Sequence, residues 1–539
     1  MQGKKQYTEK LFVQFQLSDR IPVDNFYRLL DNVLDLQFLY KATNSFYGEQ
    51  GQQSIDPVVF FKLMMVGYFE NVCSDRKIIA MAAMRLDVLF FIGYDIDEPL
   101  PWHSTLSRTR QLYGEEVFLQ LFQKVLSLCI HKGMVRGKRQ AIDSAFIKAN
   151  ASLDSLMEKE IIDDAADYIQ ALVKETTEKP HDDANQKEVN KNQTVKASTK
   201  KWVDKHHAWK EKEYKNQPGK GNTTGHSNKI DNLDEHGDII RPKFLSNHTH
   251  YSPTDPDARV SVKPGKARQL NYFGQLAVDD AHHVITGAMA DFADKRDSQC
   301  LSAILNQAIN NLDYHDIRIE EICADTGYSS GTSLNYIEQN NITAYIPNHG
   351  QYRNSREGFV YNKLLDRYEC QRGNKAILPF KGIRTDSKGY DKKTYRSSET
   401  DCKNCPLRKS CAGKKTKFKK LDDSVDKPYY DRMHDRMQTD YAKTMGRIRS
   451  KTVEPVLGTL LNFMGMRRVY TRGIKQANKH VVMASLCYNI KKYLKFIRLN
   501  PIANKNYKVI TSEQAHNFLN STFWTHFKSI CGMQILANN

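Results

Sequence analysis

The sequence has little cysteine, a shortage of acid and no long apolar run, and each deficit excludes something. Ten cysteines among 539 residues are too sparse for a disulfide-stapled scaffold, so they read as buried thiols or metal ligands in a reducing compartment. The opening MQGKKQYTEK has no apolar stretch behind its charges, which excludes the pattern of a secretory signal. The longest apolar stretches, such as Val58 to Phe69, are interrupted by Lys62 and are too short for a bilayer. These absences predict a soluble, cytoplasmic chain with no membrane partner. Asp and Glu number 62 against 80 Lys and Arg, and the formal net charge of +18 calls for a polyanion. DNA, RNA and an anionic membrane all satisfy charge alone, beside the bland alternative of a solvated basic surface. The length predicts two or three domains.

The first part reads as helices. Asp56 and Pro57 form a cap and first turn before VVFFKLMMVGYF, Ser74 is expected to cap RKIIAMAAMRLDVLFF as one helix, and Ser104 to cap TLSRTRQLY. A further apolar-rich helix is expected from Glu115 to His131. Short helices with tight turns, the last short one carrying Arg108 and Arg110, fit a helix-turn-helix and equally a plain helical bundle.

Three acids stand at the ends or edges of apolar segments. Ile322, Cys323 and Ala324 suit a buried strand that stops at Asp325, with Gly327 as a turn residue. Ala141 and Ile142 lead into Asp143, and Ala145 and Ile147 alternate with it as in a strand with one buried face. Glu454 sits beside Val453 and Val456 and follows Arg447, Arg449 and Lys451. In the contexts AIDSAFIKANAS, CADTGYSS and VEPVLG, these residues resemble the Asp-Asp-Glu (DDE) triad of bacterial insertion-sequence transposases. The likeness extends over most of the chain, including Asp56 through Pro101, Trp102, His103 and Ser104 in the helical N-terminal part, and Ser252, Thr254, Asp255 and Arg259 before the second strand.

Tyr272 to Ala288 reads as a hairpin turning at Asp279 to His283, and a helix follows from Asp297 and Ser298 with Leu301, Ile304, Leu305, Ala308 and Ile309 on one face. Strand with acid, hairpin, helix, strand with acid is the order of an RNase H-like domain, whose right-handed crossover sets the two acid-bearing strands side by side. The expected fold is therefore α/β, an RNase H-like mixed sheet with flanking helices, joined to an all-α N-terminal helix-turn-helix-like domain and a Cys-containing insertion. The divisions are residues 1–135 (helical, DNA-binding), 136–345 (first part of the catalytic domain, with a flexible insertion at 154–250), 346–440 (basic, Cys-containing), 441–500 (last part of the catalytic domain) and 501–539 (tail).

The resemblance implies a DNA transposase that binds terminal inverted repeats and catalyses metal-dependent strand cleavage and strand transfer, as at least a dimer on double-stranded DNA. Asp143, Asp325 and Glu454 would hold Mg²⁺ or Mn²⁺, because hard cations take oxygen ligands, and two such ions about 4 Å apart serve phosphodiester chemistry. The Tyr, Arg, Glu, Lys signature of some relatives is absent: Arg447, Ser450 and Leu461 fill its places. Asp435 and Asp440 stand as fallback third ligands. Arg108, Arg110, Arg447, Arg449, Arg467, Arg468 and Arg472 are the candidate DNA contacts. Two other readings keep some of these features: an RNase H-like nuclease without strand transfer, and an inactive DNA-binding relative.

Three segments remain. Leu153 to Val173 has the pattern of an amphipathic helix, and the later polar stretch with Trp202, His206, His207 and Trp209 reads as exposed linker or as a base-stacking surface. Cys402 and Cys405 form a C-x-x-C step which, with Cys370 and Cys411, is either a structural Zn²⁺ site or a set of free thiols. A last helix is expected around Val481, Val482, Leu486, Ile490, Leu494 and Ile497, its apolar face packed on the sheet.

Overall fold

In the computed structural model, residues 16–48, 54–162, 194–196, 247, 250–261, 268–350, 352–386, 389–413 and 416–499 are described. The stretch with Trp202, His206, His207 and Trp209, residues 163–173 of the expected helix, and the tail from 501 lie outside them. The chain divides into two compact units. One comprises Met1–Met134, Phe463–Gly465 and the chain from Met483, and the other Val135–Asn462 with Met466–Val482.

The first unit is helical. Asp56 caps Pro57–Phe69 as expected: its carboxylate accepts the N–H groups of Val58 at 2.7 Å and Val59 at 3.2 Å, and Pro57 occupies the first turn, where no N–H is needed. The aromatic core follows from this helix. Phe61 stacks on Tyr113 at 5.9 Å and meets Phe118 edge-on at 5.1 Å. The stretch after Ser74 is two helices rather than one, Asp75–Ala83 and Leu86–Ile92, and the Ser74 side chain makes no cap bond. The break falls where Arg85 turns aside to pair with Glu70 at 2.9 Å and Asp87 at 2.6 Å, fixing extended backbone at that residue. The next helix, His103–Leu112, starts at His103 rather than after Ser104. Glu115–His131 runs as the periodicity predicts.

The second unit is a mixed α/β arrangement. Its main sheet comprises β1 (Arg139–Lys148), β2 (Arg259–Ser261), β3 (Gln269–Asp279), β4 (Ile285–Phe292), β5 (Glu321–Cys323) and β6 (Thr343–Tyr345). The strand order is β6-β5-β1-β3, with β4 and the short β2 also paired to β3. β3 and β4 form the expected antiparallel hairpin, β3 runs antiparallel to β1, and β5 and β6 run parallel to it. Ala145 and Ile147 are buried, and Asp143, on the same face of the strand, is half-buried. Helix Asp297–Asp313 buries Leu301, Ile304, Leu305 and Ala308, and Gly287 lies so close to it that a Cβ there would meet Ile304 Cδ1 at 3.2 Å.

Two expectations change. The described part of the Leu153–Val173 segment is no amphipathic α-helix: Leu153–Ser155 is a single 3₁₀ turn, Met157–Glu158 pairs with His250–Tyr251, and Glu160–Ile162 with Thr194–Lys196. The helix Ile474–Leu499 is buried on every side from Val481 to Ile490, so it has no single apolar face to lay on the sheet. Its residues from Met483 belong to the helical unit.

Between β6 and helix Asp440–Phe463 lies a separate five-stranded antiparallel sheet in the order Phe359–Asn362, Arg367–Cys370, Ile377–Thr385, Asp391–Arg396 and Lys420–Ser424. It corresponds to the basic Cys-containing insertion.

Candidate active site

Asp143 stands in the middle of β1, and the parallel register pairs Ala141 with Cys323. Two residues on lie Asp143, still within β1, and Asp325, just past the end of β5, so the register directs both acids toward the same end of the parallel pair. Beyond β5 the chain closes a 3₁₀ turn, Thr326–Tyr328, in which the Asp325 carboxylate accepts the Gly327 N–H at 2.8 Å.

A fourth carboxylate joins them. The Ser144 hydroxyl donates to Asp297 Oδ1 at 2.5 Å, and a Cβ on Gly327 would meet Asp297 Oδ2 at 2.6 Å and Asp325 Oδ1 at 3.0 Å. Sequence reasoning took Asp297 only as a helix start. Its one signal was an acid at the N-terminus of a helix whose preceding hairpin packs on β1, and only the fold gives that meaning.

Burial raises the Asp143 carboxyl above its ordinary pKa, and the charges of Asp325 and Asp297 add to this. The Ser144 N–H and the Arg449 guanidinium act in the opposite direction. Tyr328 is buried beneath the acids, with its hydroxyl donating to Gln275 Oε1 at 2.6 Å. Burial first, then the charges of Asp297 and Asp143, push its phenol far above its ordinary value.

Glu454 belongs to the helix Asp440–Phe463, which continues through Pro455 although proline leaves the Lys451 carbonyl without its helical donor. Val453 and Val456 are buried on that helix, and Glu454 stays on its exposed side. One cation ties it to the sheet. Arg449 Nη1–H donates to Asp143 Oδ2 at 2.9 Å and Nη2–H to Glu454 Oε1 at 3.0 Å. Strand register thus sets Asp143 and Asp325 on one side of the sheet, and a shared guanidinium links Glu454 to Asp143. Among the described residues no group of three or more His, Cys, Asp or Glu side chains is drawn together closely enough to hold a metal ion. The fallback acids lie elsewhere: Asp440 is exposed and pairs with Lys443, and Asp435 accepts from Asn354 Nδ2–H at 3.2 Å.

The arginines separate into two kinds. Arg108, Arg447, Arg467 and Arg472 are exposed. Arg110 is a correction: it is buried and pairs with Asp75, one bond being 3.0 Å, so its charge is consumed inside the helical unit. Arg449 is likewise taken by carboxylates. Arg468 is half-buried, donates to Asn150 Oδ1 at 3.1 Å and lies 5.5 Å from the Tyr470 ring. Its segment extends the sheet, since Lys148 N–H donates to Arg467 O at 3.1 Å and Val469 N–H to Lys148 O at 2.9 Å. Exposed Arg467 therefore borders the same strand as Asp143. Among the described residues no helix is long and apolar enough to cross a membrane.

The residues 15–112 match the family described as Transposase domain (DUF772), and residues 369–494 match the Transposase DDE domain. No curated protein and no solved structure matches the chain. The second match contains Glu454 and the cysteines Cys370, Cys402, Cys405 and Cys411, while Asp143 and Asp325 lie N-terminal to it. The chain thus matches a transposase domain near its head and a DDE transposase domain in its later part, and the two matches together support an insertion-sequence DDE transposase.

Proposed function

We propose that the chain binds the terminal inverted repeats of its own element and cuts and rejoins DNA strands at a centre made by Asp143, Asp325 and Glu454. The carrying observation is the placement of Asp143 on β1 and Asp325 just past the end of the neighbouring parallel strand β5, with Glu454 held to Asp143 through Arg449. The strand order and the mixed directions around β1 support an RNase H-like domain.

The donor set fits a divalent cation. Its members are hard oxygens, and a carboxyl whose pKa is raised by burial first, and then by the charges of Asp325 and Asp297, is a place where added positive charge is favourable. Asp143, Asp325 and Glu454 would hold Mg²⁺ or Mn²⁺, which when bound activates an attacking water or sugar hydroxyl and stabilises the leaving oxygen. Around it the chain's own residues have separate tasks. The Ser144 N–H donates to Asp143 Oδ1 at 2.8 Å while its hydroxyl holds Asp297, and the Gly327 turn aims Asp325. Exposed Arg447, Arg467 and Arg472 neutralise backbone phosphates next to the acids, and Arg108 on the N-terminal unit does so at the repeats. Paired ends would need at least a dimer on DNA.

The test supplies purified protein with labelled DNA ending in the element's terminal repeats, a target plasmid and Mg²⁺ or Mn²⁺. Joined products are expected, and Asp143→Asn and Asp325→Asn should bind the ends without cutting. Cleavage without joining would reduce the reading to a nuclease. Cutting by Asp325→Asn at the wild-type rate would end the site assignment.

A further inference from the structure

The inserted five-stranded sheet is poorly supported by its own core. Its cluster of buried residues is Tyr368, Ala376, Leu378, Tyr395 and Leu421, with Phe359, Cys370 and Cys402 packed at the edge. Ile377 and Ile383 on its long central strand are exposed. The two helices that follow, Glu399–Lys403 and Arg408–Cys411, are 5 and 4 residues long and contribute no buried residue. Helices that short do not hold themselves together in water, and a core this small usually has a covalent or metal staple.

The four thiols of this region meet at one place. Cys370, Cys402, Cys405 and Cys411 all line a single cavity of about 320 Å³ between the sheet edge and the two short helices. Cys370 ends the strand Arg367–Cys370, and its Sγ lies 2.8 Å from Arg372 O in the turn that follows. The same turn admits Cys405: Gly373 has φ +54°, and a Cβ there would come within 2.5 Å of Cys405 Sγ. Cys402 Sγ lies 3.1 Å from Ser397 Oγ, and Cys411 closes the second helix. No two of these thiols are joined as a disulfide.

We propose that this cavity is a structural zinc site with Cys370, Cys402, Cys405 and Cys411 as its four ligands. Thiolates are soft donors with a preference for Zn²⁺, a C-x-x-C step supplies two of them from one tight turn, and four-coordinate sites of this kind are closed to substrate. In the conformation described the sulfurs do not yet share a point, for Cys370 and Cys402 are engaged with Arg372 O and Ser397 Oγ. The assignment requires both side chains to leave these contacts by changing rotamer at the Cα–Cβ bond, so that all four sulfurs reach Zn–S distances of about 2.3 Å. Charge agrees with the assignment. Four thiolates on one Zn²⁺ leave surplus negative charge, and three cations, Arg372, Arg408 and Lys419, line the same cavity against two acids, Glu357 and Asp401. The site would fix the two short helices to the sheet edge, and it stands apart from the Asp143 centre in chemistry and in ligands.

The experiment uses the full chain, purified under reducing conditions without chelator, with metal measured by elemental mass spectrometry. Zinc equimolar with protein is expected. Co²⁺ exchanged in its place should give the intense visible bands of a tetrahedral thiolate site. The double variant Cys402→Ser/Cys405→Ser should lose the metal, while Cys73→Ser in the helical unit should retain it. If the double variant does not fold, the wild-type protein answers alone. Removing zinc with a strong chelator should expose four additional reactive thiols and open the 399–413 segment to protease, and added Zn²⁺ should reverse both. Wild-type protein free of zinc with those thiols already reactive, the same cysteines found as disulfides, or zinc retained by a folded double variant would each overturn the proposal.

Discussion

Arg449 donates to Asp143 at 2.9 Å while its other terminal nitrogen holds Glu454 at 3.0 Å. The Arg449 and Asp143 side chains are 19% and 16% exposed, whereas that of Glu454 is 54% exposed. The guanidinium is thus anchored on the sheet, and the glutamate is the partner able to move.

The first prediction follows from that anchoring. Arg449→Gln removes the positive charge from a half-buried carboxylate that already faces Asp325 and Asp297. Losing a charged hydrogen-bond partner there should cost about 1.5–3 kcal/mol of stability. Millimolar Mg²⁺ should recover part of the loss, and should raise the melting temperature of the variant more than that of the wild type. Calorimetry with and without Mg²⁺ reads this directly. An equal shift in both proteins would mean that Arg449 is not compensating the acids.

Gly327 offers a steric probe of the same centre. Its φ is not in the left-handed region, so Gly327→Ala meets no backbone penalty, only the carboxylate oxygens of Asp297 and Asp325 at 2.6 and 3.0 Å. The methyl must push one or both acids aside. Displacements of that order cost about 10²-fold in well-aligned sites. Cleavage should fall by about that factor while the circular dichroism spectrum and the DNA affinity stay near wild type. Wild-type cleavage by Gly327→Ala would show that the placement of these two acids is not needed for cutting.

Arg108 and Arg110 lie two residues apart on one helix and should respond in opposite ways. Arg110 is buried against Asp75, and removing one member of such a pair typically costs about 3–5 kcal/mol. Arg110→Ala should therefore unfold the helical unit at a lower denaturant concentration. Arg108 is exposed, so Arg108→Ala should leave stability within about 0.5 kcal/mol. On the proposed DNA role it should also reduce the salt dependence of repeat binding by about one unit of slope. Denaturation curves and salt titrations separate the two effects.

The contrast between these arginines explains what the sequence could convey. Asp143 and Asp325 were legible because each follows apolar residues of a strand, and strand register then does the rest. The Asp56 cap and the hairpin from Tyr272 were legible for the same local reason. Arg110 read as a DNA contact because a lone arginine is rarely buried, and its partner Asp75 sits a helix away. The split at Met84 and Arg85 rests on Glu70, which no periodicity in the 75–92 stretch can signal. Asp297 and the double role of Arg449 likewise depend on residues more than a hundred positions distant. Spacing alone left the grouping of Cys370 with the C-x-x-C step open between a Zn²⁺ site and free thiols, because two strand pairings of the intervening sheet set their separation.

A last prediction concerns pH and the clamp behind the sheet. Asp255 is fully buried, accepting the Tyr272 hydroxyl at 2.6 Å and the Gly473 N–H at 3.0 Å, and Asp257 accepts the Ile474 N–H at 2.9 Å. Together they fasten the start of the helix Ile474–Leu499 to β3. Burial raises the Asp255 carboxyl above its ordinary value, outweighing the hydrogen bonds from Tyr272 and Gly473 that favour the charged form. The folded chain therefore holds this proton at a pH where the unfolded chain, near its ordinary value of about 3.9, has lost it. With more protons bound in the folded state, the free energy of unfolding falls as pH rises through that window, and the contribution is flat above the raised value. Asp255→Asn has no proton to lose, so the difference between wild type and variant should change only within the window. Asp255→Ala instead leaves the tyrosine O–H without its acceptor, while the Gly473 N–H keeps only its 3.1 Å bond to the Tyr272 hydroxyl, and should destabilise at every pH by about 1–3 kcal/mol. Urea titrations of the three proteins between mildly acidic and neutral pH decide the matter: a constant wild-type-to-Asn difference across that range would remove Asp255 as the titrating group.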